Sequence, residues 1–245
     1  MSILTVTDAR VHFDGLKAVD GVSVEVPDGR VLGLIGPNGA GKTTLFNAIS
    51  GHVGLTCGEV RFLDTDVTGA SPHRRARMGM ARTFQLGGLI EELTALENVV
   101  LGLDQRGLIR ARRMAPRELQ ATARSLLGQL GLDAVSRELV EELPMGLRRQ
   151  VEVVRAVASE PHLILLDEPG AGLTEAERTD LAAMIRSVAS GQLSFVVTDH
   201  STDFVFSVSD EVVAMNFGRQ IAHGAPGEIK RHPEVMDAYL GTSSP

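Results

Sequence analysis

The sequence predicts an α/β fold in which a mostly parallel β-sheet carries helices on both faces. Apolar runs typical of strands alternate with helical patterns, most clearly between residues 145 and 215. An apolar run at 31–35 leads directly into a glycine-rich loop and a helix-like run. Another apolar run, 163–166, ends in two adjacent carboxylates. Strands that alternate with helices in this way usually pair in parallel, which gives the predicted sheet.

Composition limits the class of protein. The chain has 245 residues, of which 43% are hydrophobic, enough for one sizeable α/β domain or two small ones. The formal net charge of −7 gives no overall basic surface, so we expect no nucleic-acid partner. Cys57 is the one cysteine, which excludes an intrachain disulfide and fits a reducing compartment. No secretory signal is apparent and no apolar run approaches about 18 residues, so we expect any membrane connection to run through a partner.

The N-terminal part predicts an antiparallel β subdomain. Residues 3–13 and 22–26 alternate apolar and polar side chains, which is typical of strands with one exposed face. Residues 58–63 are predicted to form a further strand. Ser71 followed by Pro72 is typical of a helix N-cap and first turn.

A glycine-rich loop after the run at 31–35 carries the most specific signal in the chain. Its residues are, in order, Gly36, Pro37, Asn38, Gly39, Ala40, Gly41, Lys42, Thr43 and Thr44. The pattern G-x-x-x-x-G-K-T between a strand and a helix is a phosphate-binding loop, because its glycines let backbone N–H groups turn towards an anion. We expect Lys42 to reach the β- and γ-phosphates of a nucleotide and the Thr43 hydroxyl to bind Mg²⁺.

Two carboxylates follow the apolar run 163–166. A strand beside the phosphate loop would place Asp167 near the metal, where it would hold Mg²⁺ directly or through water. Glu168 comes one residue later and would orient and deprotonate the water that attacks the γ-phosphate. The alternative interpretation is an acidic turn that caps a helix.

Gln85 and His200 are weaker candidates for the same site. Gln85 is predicted on a short strand or at its end, where its amide would bind the attacking water or the metal. A glutamine in that position is more often a surface residue. His200 follows a predicted strand and would donate to the γ-phosphate or to Glu168, whereas a lone histidine there is usually structural.

Residues 87–145 predict a helical subdomain inserted into the α/β pattern. Thr94 and Glu97 form a capping box that opens one helix, and Pro116 opens a second helix that runs to Gly131. The arginines between these two predicted helices and at the start of the second indicate either a solvated loop or a surface that contacts a partner or lipid head groups. They are Arg106, Arg110, Arg112, Arg113 and Arg117.

The α/β pattern resumes after residue 145. A second capping box is expected at Thr174 and Glu177. The predicted elements are, in order, a helix over 147–159, a strand over 162–166, a helix over 174–190, strands over 193–197 and 211–215, and two short helical segments within 226–240. The chain is therefore predicted to be one domain, residues 1–245, with a C-terminal helical segment at 226–245.

Taken in order, these pieces resemble the nucleotide-binding subunit of an ABC transporter over nearly the whole chain. The phosphate loop resembles the Walker A motif, and residues 163–168 resemble Walker B. The other matched positions are Phe13 at the A-loop, Gln85 at the Q-loop, 170–173 at the D-loop, His200 at the switch histidine, and Leu143, Pro144, Met145, Gly146 and Leu147 at the signature. The resemblance implies a P-loop NTPase with a RecA-like core that binds ATP and Mg²⁺ and hydrolyses ATP.

The resemblance also implies a role for each matched residue. Phe13 would stack on adenine, and residues 36–44 would hold the phosphates. The implied catalytic residues are Lys42, Gln85, Glu168 and His200. The implied Mg²⁺ ligands are Thr43, Gln85 and Asp167. The signature would complete the ATP site of a second ATPase subunit.

A finer resemblance is to the ATPases of branched-chain amino acid importers. It is carried by residues 13–23, 82–85, 93–99 and 218–241. It implies a peripheral subunit on the cytoplasmic face of the inner (plasma) membrane, working with integral membrane permease subunits and a second ATPase subunit. A periplasmic-type solute-binding protein would act indirectly, and the cargo would be branched-chain amino acids or related small polar solutes.

Two departures from the family pattern bear on this expectation. The common signature is L-S-G-G-Q, whereas Pro144 offers neither a hydroxyl nor an N–H, and Leu147 replaces a polar glutamine. We predict that this chain's own Walker motifs are competent, that the site completed by its signature is weaker, and that the second ATPase is a different homologous chain. At 198–201 the family more often has E-H-D, and because His200 is kept we interpret this change as tuning around the histidine.

Three alternative functions compete with an importer subunit. One is a soluble ABC ATPase acting on DNA, ribosomes or protein assembly, which the acidic net charge opposes. Another is a regulator that binds ATP with weak hydrolysis, which the altered signature favours and the intact Glu168 and His200 oppose. A P-loop kinase or GTPase is the third, although the guanine-reading N-K-x-D of a GTPase is missing from the sequence.

Overall fold

Two β-sheets organise the chain in the computed structural model, which describes residues 2–83, 88–105, 115–189 and 193–240. The strands are β1 Ser2–Phe13, β2 Leu16–Pro27, β3 Val31–Ile35, β4 Cys57–Phe62, β5 Thr65–Asp66, β6 Met80–Thr83, β7 Leu163–Asp167, β8 Ser194–Thr198, β9 Glu211–Asn216 and β10 Arg219–Gly224. The helices are α1 Lys42–Ser50, α2 Pro72–Arg77, α3 Ala95–Gln105, α4 Pro116–Gln129, α5 Met145–Ala158, α6 Glu175–Ala189, α7 Thr202–Val208, α8 Pro226–Ile229 and α9 Pro233–Leu240.

The N-terminal sheet is antiparallel, in the order β2-β1-β4-β5. Its first hairpin pairs Phe13 with Leu16 across a turn in which Asp14 and Gly15 both have positive φ. Such a turn matches the right-handed twist of the two strands it connects. The predicted N-terminal antiparallel sheet is therefore confirmed, although β2 begins well before residue 22 because the hairpin extends the pairing.

The second sheet has the order β10-β9-β3-β8-β7-β6. Neighbouring strands from β9 to β6 pair in parallel, and β10 pairs antiparallel with β9. Every residue of β3, β7 and β8 is buried, as expected for parallel strands covered on both faces. This confirms the mostly parallel α/β core. The carboxyl ends of these strands share one edge, so Ile35, Asp167 and Thr198 lie at the same edge.

The strand that carries the carboxylate pair is not the direct neighbour of the strand before the phosphate loop. β8 lies between them, since Thr198 is paired with Leu34 on one side and with Asp167 on the other. The sequence predicted a strand beside the phosphate loop but did not predict which strand pairs with β3. Strand order in a parallel sheet depends on how each crossover connection packs, which local sequence patterns do not reveal.

One helix and one strand in the C-terminal part of the chain were not predicted from the sequence. Helix α7 begins after Ser201, whose hydroxyl accepts a hydrogen bond from the N–H of Phe204. At seven residues it is too short to show a clear helical period. Strand β10 turns back on β9 through Phe217 and Gly218, which both have positive φ. The two short helices predicted within 226–240 are confirmed as α8 and α9.

Capping boxes open both α3 and α6 as predicted. The Thr94 hydroxyl accepts from the N–H of Glu97, whose carboxylate accepts from the N–H of Thr94 at 2.8 Å. Thr174 and Glu177 make the equivalent pair of bonds. Helix α3 packs against α4 and α5 around a buried apolar cluster that includes Val99. The division of residues 87–145 into a separate subdomain stays a prediction.

No helix within the described residues is long and apolar enough to cross a lipid bilayer. The longest described helix, α6, has 15 residues and carries acidic side chains in its first turn.

Candidate functional site

The phosphate loop connects the buried strand β3 to helix α1. Gly36, Gly39 and Gly41 have φ angles of 154°, 78° and 99°, which a glycine adopts without the steric cost that a side chain would bring. Asn38 and Gly39 at the tip are exposed. Helix α1 begins at Lys42 with no side-chain cap, so the N–H groups of its first turn are directed at the loop.

Lys42 folds back over this loop. Its ammonium donates to the carbonyl oxygens of Gly36 at 2.6 Å and Pro37 at 3.1 Å. Burial lowers the pKa of Lys42, and the nearby carboxylate of Glu168 opposes that shift. The structure therefore brings the lysine of the loop and the second carboxylate of β7 into one electrostatic neighbourhood, despite the intervening strand β8.

Asp167 ends β7 and is 6% exposed. Its Oδ2 accepts a hydrogen bond from Arg82 at 2.8 Å, and the same guanidinium donates to Asn47 and Ser50 on α1. Arg82 thus connects the strand that precedes Gln85 to the helix of the phosphate loop. Sequence analysis gave this arginine no role. The signal was a charged residue on a short strand that begins with two apolar residues, which is unusual without a buried partner.

Glu168 has a φ of 52°, a left-handed conformation that is uncommon and costly outside glycine. A hydrogen bond from its N–H to the carbonyl of Thr198, at 2.8 Å, helps to hold it there. His200 Nε2 lies 3.0 Å from Glu168 Oε1, and the histidine side chain is 61% exposed. The predicted base and the predicted switch histidine are therefore in direct contact at the edge of the sheet.

Asp199, the residue before the histidine, is buried and holds two backbone N–H groups. Its carboxylate accepts from Gly170 at 2.7 Å and from Ser201 at 2.9 Å. The first bond ties the segment 170–173 to the end of β8, and the second orients the start of α7. This departure from the family pattern was interpreted as tuning around His200. The contacts give the aspartate a specific structural partner that no local pattern could identify.

Phe13 ends β1 at the hairpin and is 47% exposed, so part of its ring faces solvent. The strand that follows passes beside the phosphate loop. An added Cβ on Gly41 would lie 2.3 Å from the carbonyl oxygen of Ala18. The hairpin and the loop are therefore packed backbone to backbone near this point.

The five predicted signature residues surround the start of α5. Leu143 is buried, Pro144 is the N-cap, and Met145, 49% exposed, is the first helical residue. The helix thus begins two residues earlier than the predicted 147. Leu147 is partly buried and packs against the apolar cluster of the helical layer. This packing gives a structural reason for an apolar residue at that position.

Gly146, the remaining signature residue, is already engaged within the chain. Its N–H donates to Glu177 Oε1 at 3.2 Å, while Glu177 also accepts from both the N–H and the hydroxyl of Thr174. These hydrogen bonds lower the pKa of Glu177, those from Thr174 most of all. One N–H group at the start of α5 therefore already donates to a carboxylate of the same chain. The capping box predicted this glutamate's local role but not its contact with a glycine 31 residues away.

Gln85 lies outside the described residues, and its predicted roles stay predictions. Strand β6, which leads towards it, ends at Thr83 at the same sheet edge as Asp167. The described residues contain no group of three or more His, Cys, Asp and Glu side chains arranged to hold a metal ion. The hydroxyl of Thr43 and the carboxylate of Asp167 are oxygen donors of the kind that Mg²⁺ prefers, and in nucleotide sites phosphates and water supply the remaining ligands. The donor set therefore fits Mg²⁺ bound together with a nucleotide.

A phosphate loop, a carboxylate pair and a histidine at one sheet edge define a nucleotide-binding P-loop protein, and the sequence comparisons identify its class. The chain belongs to the ABC transporter family, which it matches over residues 19–171. It is therefore an ATP-binding cassette ATPase. Residues 219–244 also match the family described as branched-chain amino acid ATP-binding cassette transporter.

Individual relatives cover almost the whole chain. The high-affinity branched-chain amino acid transport ATP-binding protein BraF of Pseudomonas aeruginosa is 36% identical, with 98% of each chain covered. LivG of Escherichia coli, of the same description, is 33% identical with the same coverage. The lipopolysaccharide export system ATP-binding protein LptB of Escherichia coli is 32% identical, again over 98% of each chain.

Solved structures confirm the fold. The ADP conformation of MJ1267, an ATP-binding cassette of an ABC transporter, superimposes with a TM-score of 0.87 at 31% identity, covering 98% of this chain and 99% of that chain. A nucleotide-free ATP-binding cassette from an ABC transporter gives 0.84 at the same identity and coverage. The predicted P-loop NTPase fold is therefore confirmed across the chain.

Replacing Gly41 by alanine should damage the phosphate loop far more than the same change at Gly39. Both glycines have positive φ, so each alanine pays about 1–2 kcal/mol for the left-handed conformation. Only at Gly41 would the new Cβ also press on a backbone atom, the carbonyl oxygen of Ala18, whereas nothing lies within 4 Å at Gly39. We expect Gly41→Ala to lower the thermal midpoint and to weaken ATP binding at least about tenfold. Calorimetric titration checks this, and equal effects of the two variants would contradict it.

Proposed function

We propose that this ATPase energises the uptake of branched-chain amino acids or related small polar solutes through membrane permease subunits. The observation that carries the proposal is the match of residues 219–244 to the branched-chain amino acid family. Overall sequence identity does not discriminate between an importer and an exporter, since LivG and LptB of Escherichia coli are 33% and 32% identical to the chain. The C-terminal match therefore supports an importer more strongly than the catalytic core does.

The proposed assembly places the chain on the cytoplasmic face of the inner (plasma) membrane. Two permease subunits would hold it there, a different homologous ATPase would be its partner, and a periplasmic-type solute-binding protein would deliver cargo to the permease. Residues 87–145, as an inserted helical subdomain, would form the permease-facing surface together with the segment around Gln85. The C-terminal helical segment, residues 226–245, would be part of the ATPase domain.

ATP would bind with its phosphates on residues 36–44 and its adenine on the exposed ring of Phe13. Mg²⁺, held by Thr43, Gln85 and Asp167, would neutralise phosphate charge. The open tip of the loop and the uncapped first turn of α1 support phosphate binding here. The ammonium of Lys42 would exchange its two loop carbonyls for the phosphates.

Glu168 would act as the general base in hydrolysis. Its side chain is 18% exposed, and its carboxylate would accept a proton from the attacking water, while His200 keeps it oriented through the 3.0 Å contact. Lys42 and His200 would stabilise charge on the transferred phosphoryl group. The effect of the Glu168 carboxylate on the pKa of Lys42 supports their convergence on one phosphate.

An uptake experiment tests the proposal. Deletion of the gene for this chain should abolish high-affinity uptake of radiolabelled leucine, isoleucine and valine. A wild-type copy should restore uptake, and a Glu168→Gln copy should not. Loss of uptake of another solute, with branched-chain uptake intact, would overturn the assigned cargo. Unchanged uptake of every solute tested would overturn the importer assignment itself.

Removing the charge of Glu177 should raise ATP turnover in the assembled transporter. In the proposed dimer the start of α5 faces the partner's ATP, and a carboxylate bonded to the N–H of Gly146 repels its γ-phosphate. Glu177→Gln removes the charge and keeps one oxygen, which still accepts from Thr174, while the amide NH₂ replaces the oxygen that accepts from the N–H of Gly146. We expect turnover to rise about two- to fivefold, the size of a single-charge effect at a helix N-terminus.

The matched control is Glu175→Gln, in the same turn of α6, where the glutamate is 82% exposed and pairs with Arg178. Its turnover should equal that of the wild type. Steady-state phosphate release at saturating ATP is the measurement. A Glu177→Gln transporter that turns over more slowly than the wild type would show that the carboxylate supports the signature instead of opposing it.

A further inference from the structure

The C-terminal helix α9 reaches the entrance of the phosphate loop. The hydroxyl of Tyr239 accepts a hydrogen bond from the N–H of Gly36 at 2.8 Å, across 203 residues of sequence. Gly36 directly follows Ile35, which is the last residue of β3 paired in the sheet, with Ala214 as its partner. The contact therefore falls at the point where the rigid strand ends and the loop begins.

The peptide at this point is tightly held on its other side as well. Gly36 has a φ of 154°, and an added Cβ would lie 2.3 Å from the carbonyl oxygen of Met215 and 2.9 Å from the Cβ of Ala40. The backbone at Gly36 is therefore packed too closely to accept a side chain, which restricts how the loop leaves β3. On the side of α9, the N–H of this first peptide donates to the tyrosine hydroxyl.

The tyrosine ring is anchored in a separate apolar cluster. The cluster includes Ile35, Val212 and Val235, which belong to β3, β9 and α9. Burial raises the pKa of Tyr239, and the N–H of Gly36 opposes that shift, so the phenol is neutral at physiological pH. An adjacent cavity of about 330 Å³ lies against the ring and is open to solvent in part. The ring of Tyr239 therefore packs against apolar side chains, while its hydroxyl contacts the phosphate loop.

We infer that Tyr239 is a positioning residue for the nucleotide, setting ATP affinity by holding the first peptide of the phosphate loop. The segment that carries it is the segment matching the branched-chain amino acid family, residues 219–244. The C-terminal helix thus acts on the nucleotide site of its own chain. The inference rests on the proposed binding of ATP phosphates to residues 36–44.

Tyr239→Phe tests the hydroxyl without removing the ring. A neutral hydrogen bond is worth about 1 kcal/mol, which corresponds to roughly a fivefold change in affinity. We expect the KM for ATP of the assembled transporter, and the Kd of the full chain for ATP measured by calorimetry, to rise by about that factor. The kcat should stay within about twofold, because Tyr239 does not touch the reacting atoms.

Val235→Ala is the matched control, since Val235 is 4% exposed, lies on the same helix and packs in the same cluster. It should lower the thermal midpoint and leave ATP affinity unchanged. Wild-type affinity in Tyr239→Phe would overturn the inference. An equal loss of affinity in Val235→Ala would also overturn it, because packing and not the hydroxyl would then be responsible.

A third variant separates this inference from the proposed function on which it rests. Lys42→Met removes the predicted phosphate-binding ammonium and should abolish ATP binding. If Lys42→Met binds ATP as well as the wild type does, the assignment of phosphates to this loop fails. If Lys42→Met loses binding while Tyr239→Phe keeps it, the nucleotide site stands and only the role of Tyr239 fails.

Discussion

Replacing Glu168 by glutamine should stop ATP hydrolysis and leave ATP binding intact. Glutamine has the same size, keeps an oxygen for the contact with His200, and inherits the same left-handed backbone. It cannot accept a proton from the attacking water. Because general-base catalysis contributes about 10²–10⁴ in rate, we expect hydrolysis to fall at least about 100-fold. Phosphate release by the assembled transporter and calorimetric titration with ATP together make the measurement.

Glu160 offers a matched control for this change. It is an exposed glutamate near the other end of β7 and also has a positive φ, 46°. Glu160→Gln should therefore hydrolyse ATP at the wild-type rate, which separates loss of the proposed catalytic carboxylate from the effect of any left-handed glutamine. If Glu168→Gln turns over ATP normally, Glu168 is not the general base, and this chain's Walker motifs do not catalyse the hydrolysis proposed for them.

Features that depend on short-range spacing were predicted well from the sequence. The strand predicted at 31–35 is found at Val31–Ile35, and both capping boxes form with the expected bonds. A capping box or a phosphate loop is defined by residues within a single turn, so local sequence contains nearly all the information needed to specify it. The phosphate loop was for this reason the part of the site that the sequence specified best.

Apart from the contact of His200 with Glu168, which was one of two predicted alternatives, contacts between distant residues were not predicted. Arg82 and Asp167 are separated by 85 residues, and Gly170 and Asp199 by 29 residues, so each pair is assembled by the order of strands in the sheet. The position of β8 between β3 and β7 is part of the same problem. A sequence pattern can mark a charged residue as unusual, but only the fold supplies its partner.

The signature shows both kinds of information at one place. Pro144 was predicted to lack the donors of the usual serine, and it caps the helix with an extended backbone and no side-chain bond. Leu147 was noted as replacing a polar glutamine, and its side chain packs against the helical core. The hydrogen bond between Gly146 and Glu177 was visible only in three dimensions. The predicted weakness of the site it completes stays a prediction.

Arg75 should be the most stabilising charged residue of the described core. The residue is 2% exposed, and its guanidinium donates to carbonyl oxygens at the end of α1 and in the loop before α2. These acceptors are Ala48, Ile49, Thr68 and Ala70. The last carbonyls of a helix have no partner within the helix, and a cation there also complements the helix dipole. Arg75 therefore anchors the far end of the helix that begins at the phosphate loop.

Replacing Arg75 by methionine should cost about 3–5 kcal/mol of the free energy of unfolding, since it leaves several buried carbonyls without a donor. Arg74→Met is the control, because Arg74 is exposed on the same helix, and it should change stability by less than about 0.5 kcal/mol. Urea denaturation of the full chain measures both. Equal stability of Arg75→Met and Arg74→Met would mean that water replaces the guanidinium, and that the end of α1 does not depend on this buried cation.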